Sequence, residues 1–592
     1  MARTALDPRE VSAPVALRPS AMPSSRSRIV TLRAVWALFV ASLLACQSAA
    51  GTAREAGRPA DVQPAPIKRL NAAVQSDPTV LSSRIRPLGV GIAGVSELEQ
   101  LVAAGLTVAD EHNAIHAVLA EEVPTIENGR WRLLPDGRME TTWVIRENAR
   151  WHDGAPLTSA DLLFTLDVVR DREVGAFREA AYDMIEGADA PDPRTVTVRW
   201  KEPYIEADNL FSSTHALPLP QHLLGQAYAE DKTTLTEIPY WNQDFVAAGP
   251  FRVAQWEAGS GVLLRAFDGF ALGRPKIDEI DVRFIPNSSS LSASILAGAV
   301  DLTIGRSLSV DQAIQVRDRW QSGKMDAGDV SSVVLIYPQF IDPDPAVIGD
   351  VRFRAALMAA IDRQEMAESL QAGLTSAADV FLVPGHAEFS AIQNSIVRHP
   401  YDQRQATEAI ASLGYARGGD GAFRDGSGAR LGVEIRTSQG DDLQEKALFG
   451  AADAWQRVGV GVTQVLVPPQ QARGREYRAT FPGFDVKRQP GDRGFLERVF
   501  SAKTPLPEND FVGNNYNRYR SPDLDALLGR YFATIPFAER TAVLGEIVHH
   551  MTDRVLYITL FYQTSPVMIG NQIRGVTGTS QGWNANAWEI GS

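Results

Sequence analysis

One cysteine, Cys46, is all that 592 residues offer, and a single thiol forms neither an intramolecular disulfide nor a cysteine-rich metal site. Positive charge is also short: 58 Lys and Arg against 71 Asp and Glu leave a net charge of −13 and a pI near 5.3. Binding nucleic acid requires a concentrated basic surface. No such run stands out, so nucleic acid is not an expected partner. The Gly-x-Ser-x-Gly nucleophile elbow is missing, and no cysteine is placed to act as a nucleophile. Fixed-period repeats and low-complexity tracts are missing as well. No enzymatic activity, cofactor or metal is expected.

Long apolar runs are scarce too. The clearest covers 34–45 (AVWALFVASLLA) behind Arg26, Arg28 and Arg33. It falls short of the roughly 20 residues that cross a bilayer, and its basic flank and small-residue exit are those of an export signal. Leu43-Leu44-Ala45-Cys46 resembles a bacterial lipobox, which makes Cys46 the expected point of lipid attachment and residues 1–46 the signal; Met22 is an alternative start. Residues 47–83, rich in Ala, Gly, Pro and charge, read as a flexible tether. The folded chain is expected from about residue 84.

What is present is ordinary globular composition, 44% hydrophobic and 22% charged, with length for two or three domains. Thr142–Arg146, Thr195–Trp200, Gly261–Ala266 and Ile280–Ile285 alternate or carry β-branched residues between turn signals, which predicts strands. Ser159–Asp171, Val351–Ala372 and Pro536–Arg554 carry apolar residues at three- and four-residue spacing, which predicts helices. Their interspersion predicts mixed α/β lobes.

The most informative segment is WHDGAPLTSADLLFTLDVVR, Trp151 to Arg170. Asp153-Gly154 is a turn, Thr158 an N-cap, and Asp161 stands where an acid completes a capping box. Leu162, Leu163, Leu166 and Val169 form the expected buried face. The segment resembles the hallmark of the family 5 extracellular solute-binding proteins, with Leu157 where an aromatic is usual. Further blocks resemble the family in order: Ala248–Arg252 with Trp256, Arg274–Ile280, Ala297–Asp301, Asp350–Leu357 running into Ala360–Arg363, and Asn515–Tyr519 with Ser521–Leu528.

The resemblance implies a periplasmic-binding-protein-like fold of type II, a Venus-flytrap of two α/β lobes with an extra domain inserted in the first. The expected partition is 84–119, 238–330 and 555–592 in lobe one, 120–237 in the inserted domain and 331–554 in lobe two. It implies a monomeric receptor of an ABC importer that binds a peptide or peptide-like solute in the interlobe cleft and delivers it to a membrane permease, held to membrane lipid by its anchor. A ligand sensor or envelope chaperone on the same fold is the alternative.

Peptide-binding members commonly anchor the ligand amine on an aspartate after a lobe-two strand, here Thr480 to Lys487. In this chain the loop continues Arg488-Gln489-Pro490-Gly491-Asp492-Arg493. A buried charge demands an opposite charge, so Arg488 in the place of the acid implies a carboxylate or phosphate near Arg488 or Arg493. Asp485 or Asp492 serves if the loop is shifted, and the bland alternative leaves both arginines in solvent. Tyr337, Gln339 and Tyr516 are further cleft candidates. Gly89–Gly94 with Asp110 matches a dinucleotide fingerprint, but Pro87 interrupts the strand that should precede it. His112 and His116 have zinc-helix spacing, but Asn113 replaces the glutamate that would act as base.

Overall fold

Thr195–Trp200 and Gly261–Ala266 form strands over the expected residues, and Met139–Val144 and Glu279–Phe284 overlap theirs. The computed structural model describes residues 66–85, 94–110, 114–177, 179–328, 330–577 and 582–591. Cys46, the glycine cluster 89–93 and His112 lie outside the described residues. The helical run expected over 351–372 is two helices, Val351–Ala359 and Arg363–Gln371. The Asp362 carboxylate accepts the Glu365 N–H at 2.9 Å and starts the second.

Lobe one is built on a seven-stranded sheet in the order Gly323–Asp326, Val567–Gly570, Leu302–Ile304, Arg69–Val74, Glu279–Phe284, Gly261–Ala266, Phe251–Glu257. Arg69–Val74 is its central strand, parallel to both Glu279–Phe284 and Leu302–Ile304. The expected tether over 47–83 is therefore corrected, because folded chain already includes residues 69–74. Small residues mislead there: Ala72 and Ala73 read as linker composition, yet both are fully buried in a sheet with covered faces.

Lobe two holds a five-stranded sheet ordered Gly461–Val467, Gly432–Ser438, Phe484–Pro490, Val330–Pro338, Ile558–Thr564. Here too a boundary moves. Residues 555–592 were expected in lobe one, but Ile558–Thr564 pairs antiparallel with Val330–Pro338, and the chain returns to lobe one only with Val567–Gly570. Pro566 lies between the two strands and has no N–H for a ladder. The other crossing leads from Gly323–Asp326 of lobe one to Val330–Pro338 of lobe two, and hydrogen bonds tie the ends of the two crossings together. The Thr564 hydroxyl donates to the Gly328 carbonyl at 3.1 Å, and the Thr564 N–H donates to Gln371 Oε1 at 3.2 Å.

The inserted domain is an antiparallel sheet ordered Trp131–Leu133, Met139–Val144, Thr195–Trp200, Ile185–Asp192, covered by the helix Ser159–Arg170. The expected capping box is present: Asp161 Oδ2 accepts the Thr158 N–H at 2.8 Å. The buried face is wider than predicted, since Phe164 and Val168 are buried beside Leu162, Leu166 and Val169, while Leu163 is only half-buried.

His152 joins this domain to lobe one. Its Nε2 lies 3.1 Å from the Gly249 carbonyl, and its Nδ1 accepts the Ala247 N–H at 3.3 Å. Both bonds together require the neutral ring with its proton on Nε2. Burial pulls its pKa down to about 4, against about 6.5 in an unfolded chain. A histidine kept neutral contributes stability above pH 6.5 that is lost as pH falls from 6.5 to 4. His386, also drawn down to about 4 by burial, acts in the same window. Melting temperature is expected to fall from pH 6.5 to 4. His152→Asn should be less stable at pH 7 and show a flatter decline; an identical slope would contradict this account.

Candidate functional site

Parallel strands leave their carboxyl ends on one side of a sheet, and the loops there are the usual place for a ligand. In lobe one those ends are Gln75, Pro286 and Arg306; in lobe two Gly440 and Asp441 follow the parallel strand Gly432–Ser438. All five line one cavity of about 360 Å³, which Gln371, Gln563 and Pro566 close on the side of the crossings.

Arg488 faces this cavity from Phe484–Pro490. It lies 3.4 Å from Asp441 Oδ2, the same oxygen that Arg306 of lobe one approaches at 3.4 Å. Two guanidinium groups from opposite lobes thus share one carboxylate. Burial and the positive charge of Arg306 both lower the Arg488 pKa. Burial alone would raise that of Asp441, but Arg488, the Gln444 contacts and Arg306 hold it low. Asp441 also caps the helix Asp442–Arg457, accepting the Gln444 N–H at 3.3 Å. A second pair across the gap, Lys446 with Asp311 at 3.5 Å, is half exposed.

The other expected residues lie elsewhere. Asp485 is buried inside lobe two between Arg436 at 3.3 Å and Lys487 at 3.2 Å. Gln339 is fully buried: Nε2 donates to the carbonyls of Ala479 and Phe481, and Oε1 accepts from the N–H groups of Phe340 and Ile341. Tyr337 is buried edge-on against Tyr557 at 4.9 Å. These three are corrected from cleft candidates to core residues: Tyr337 and Asp485 are buried on lobe-two strands, and Gln339 is buried just past the end of one. Tyr516 is half-buried with the Arg478 guanidinium 5.8 Å over its ring, and it does not line the cavity.

Asp492 and Arg493 belong to a different place. Asp492 Oδ1 accepts the Gly494 N–H at 2.9 Å, and burial raises the pKa of its carboxyl. Arg493 Nε is 3.7 Å from Glu206 of the inserted domain. The inserted domain meets lobe two here, and the Ile205 N–H donates to the Phe532 carbonyl at 3.0 Å. Of the predicted set, the structure brings only Arg488 to the cavity.

Sequence reasoning missed Arg306 and Asp441. Asp441 carried a usable signal, an acid before Asp442 and three residues ahead of Gln444 that reads as an N-cap. Arg306 carried none, since only the register of a three-residue strand sets its direction.

The profile of bacterial extracellular solute-binding proteins, family 5 Middle, matches residues 121–502. The oligopeptide-binding protein AppA of Bacillus subtilis is 21% identical over 81% of this chain and 84% of its own. A Brucella ovis protein named as an ABC transporter peptide-binding protein is 28% identical over 45% of this chain, and the match spans about half of that relative, 48%. Among solved structures, AppA in complex with a nonapeptide superposes with TM-score 0.70 at 19% identity, covering 89% of this chain and 100% of that one. NikZ of Campylobacter jejuni in complex with Ni(L-His) gives TM-score 0.70 at 20% identity, covering 88% and 99%.

Proposed function

Because this chain belongs to the bacterial extracellular solute-binding proteins of family 5, a family of binding proteins and not of enzymes, we propose that it is the receptor of an ABC importer. Its two lobes close on a peptide or peptide-like solute and present it to a membrane permease. The observation that carries this reading is the cavity faced by Arg306 of one lobe and by Asp441 and Arg488 of the other, beside two adjacent chain crossings. Adjacent crossings leave the lobes free to hinge, and a half-exposed charge pair such as Lys446 with Asp311 is weak enough to break and re-form.

Two guanidinium groups present more N–H donors than the one carboxylate between them accepts, even with Glu97 also feeling the charge of Arg306. A ligand carboxylate seated between Arg306 and Arg488 takes up such donors, with the planar, bidentate geometry that arginine favours. The ligand is thus a solute bearing a free carboxylate, and a peptide with an unblocked C-terminus fits that chemistry. The chain acts as a monomer, tethered to membrane lipid through Cys46. No described helix is long and apolar enough to cross a membrane.

Native mass spectrometry of protein taken from its source identifies the solute. Calorimetry with that solute then tests the site. Arg488→Ala and Arg306→Ala are each expected to weaken binding about 10- to 100-fold, the loss of one charge-assisted contact. Blocking the carboxylate as an amide should cost as much on the unaltered protein. Unchanged affinity in both variants would place the ligand elsewhere.

A further inference from the structure

Where the inserted domain meets lobe two, Tyr204 makes two contacts that one hydroxyl cannot serve alike. Its phenol oxygen lies 3.2 Å from Glu206 Oε2 and 3.3 Å from Glu497 Oε1. A phenol carries a single proton, so two ionised carboxylates would compete for it at close range. Glu206 and Tyr204 come from the inserted domain and Glu497 from the short helix Gly494–Glu497 of lobe two. The pair therefore spans the contact between the inserted domain and lobe two.

We infer that Glu497, Tyr204 and Glu206 form a proton-dependent latch, in which closure of the lobes takes up a proton on Glu497. This rests on the clamp reading above and names a regulation of the same movement. With the proton in place, Glu497 can share a hydrogen bond with the Tyr204–Glu206 pair instead of repelling it. Opening returns the carboxyl to water, where it releases the proton.

The surroundings decide which acid takes the proton. Glu206 has cationic neighbours: Arg493 at 3.7 Å and His215 Nε2 at 3.4 Å. Glu388 likewise has Arg540 at 2.8 Å and the Tyr531 hydroxyl at 2.7 Å, with His386 Nδ1 3.9 Å away, and Glu179 is bonded by Arg84. Glu497 has no ion-pair partner among the described residues, whereas Arg498 beside it turns to Gln489 Oε1 at 3.1 Å. Burial first, then the charge of Glu206, raises the Glu497 pKa to about 7, while His215 and the Tyr204 bond oppose the rise. Asp208, raised to about 6 by burial, follows the same direction at lower pH, and Asp492 is also raised. Glu206 is held at about 2 against burial by His215 and Arg493, so it stays ionised through this range.

The sign follows from linkage. A carboxyl that titrates near 7 when closed and near 4.3 when exposed makes closure less favourable above pH 7. Closure gains about tenfold for each pH unit of descent from 7 toward 4.3. Spin labels at Lys201→Cys and Lys503→Cys in a Cys46→Ser background report the distance between inserted domain and lobe two without any ligand. Through Glu497 alone the ratio of short to long distances is expected to rise about 30-fold from pH 8 to pH 5.5, and Asp208 adds to that rise. Glu497→Gln should reduce that change to about fourfold, the share of Asp208, and remain short at pH 8. Glu206→Gln, which removes the neighbouring charge, should move the midpoint to lower pH, and it serves should Glu497→Gln fail to fold. Distances that ignore pH, or a pH response identical in all three proteins, would overturn the latch. Carboxylate-dependent binding at Arg306 and Arg488 would still stand in that case, so the two readings fail separately.

Discussion

Asp161→Ala is expected to lower the unfolding free energy by about 4 kcal/mol, although the residue is far from the cavity. The carboxylate is buried and holds four donors: the Thr158 N–H at 2.8 Å and hydroxyl at 3.3 Å, the Gln221 N–H at 2.9 Å and the Trp151 indole N–H at 3.4 Å. It thereby fixes the helix start, the turn before it and the entry to the helix Gln221–Glu230. Alanine leaves two backbone donors without partners, at about 1 to 3 kcal/mol each, and removes a negative charge from the positive end of a helix. Asp161→Asn keeps one acceptor oxygen and should lose roughly half as much. Urea unfolding checks both, and midpoints within error of the unaltered protein would refute the account. Affinity of the folded fraction should not change.

That result would explain why the hallmark segment is legible and the ligand is not. Trp151, His152, Asp161, Arg354, Arg363 and Asn517 stand in the blocks by which the family resemblance was drawn, and every one is a buried structural residue. Arg363 donates to the carbonyls of Ala378 at 2.6 Å and His399 at 3.0 Å, and Asn517 Nδ2 donates to the Leu556 carbonyl at 3.1 Å. Side chains that satisfy backbone groups at fixed spacing leave local patterns, which a sequence displays. A cleft is different. Arg306 follows a strand of one sheet and Arg488 lies on a strand of another, 182 positions along the chain, and only the lobe arrangement brings them to one carboxylate.

The same distinction accounts for the misplaced candidates. Tyr337, Gln339 and Asp485 sit beside Arg488 in chain or ladder, since Tyr337 pairs with Asp485 and Val334 with Arg488. Alternation along a strand sends neighbours to opposite faces, so nearness in the ladder does not give a common direction. Lobe boundaries failed for a related reason: 69–74 and 558–564 are short strands whose sheet membership depends on distant partners, Glu279–Phe284 for one and Val330–Pro338 for the other. The strands and helices themselves were readable because their periodicity is local.

Arg354→Ala is expected to be as damaging, at about 4 kcal/mol, and by a mechanism that charge counting would miss. The guanidinium is buried with no ion-paired carboxylate among the described residues: it donates to the carbonyls of Ile348 at 2.7 Å, Val555 at 3.0 Å and Arg554 at 2.6 Å, and it lies 4.7 Å over the Phe340 ring. Those carbonyls end the turn before the helix Val351–Ala359 and close the helix Phe537–Asp553. Arg354 therefore ties two segments about 200 positions apart at the base of the strand that leads to the crossing. Burial lowers its pKa to about 10, so it stays charged at neutral pH. Arg354→Met fills most of the space but leaves three carbonyls without donors, so it should recover less than half of the loss. Arg354→Lys keeps the charge yet cannot reach three acceptors with one ammonium held in place, and it should fall between them. The order arginine, lysine, methionine, alanine in urea midpoint is the expected series. A methionine variant as stable as the unaltered protein would mean that packing, and not the carbonyl bonds, is what Arg354 supplies.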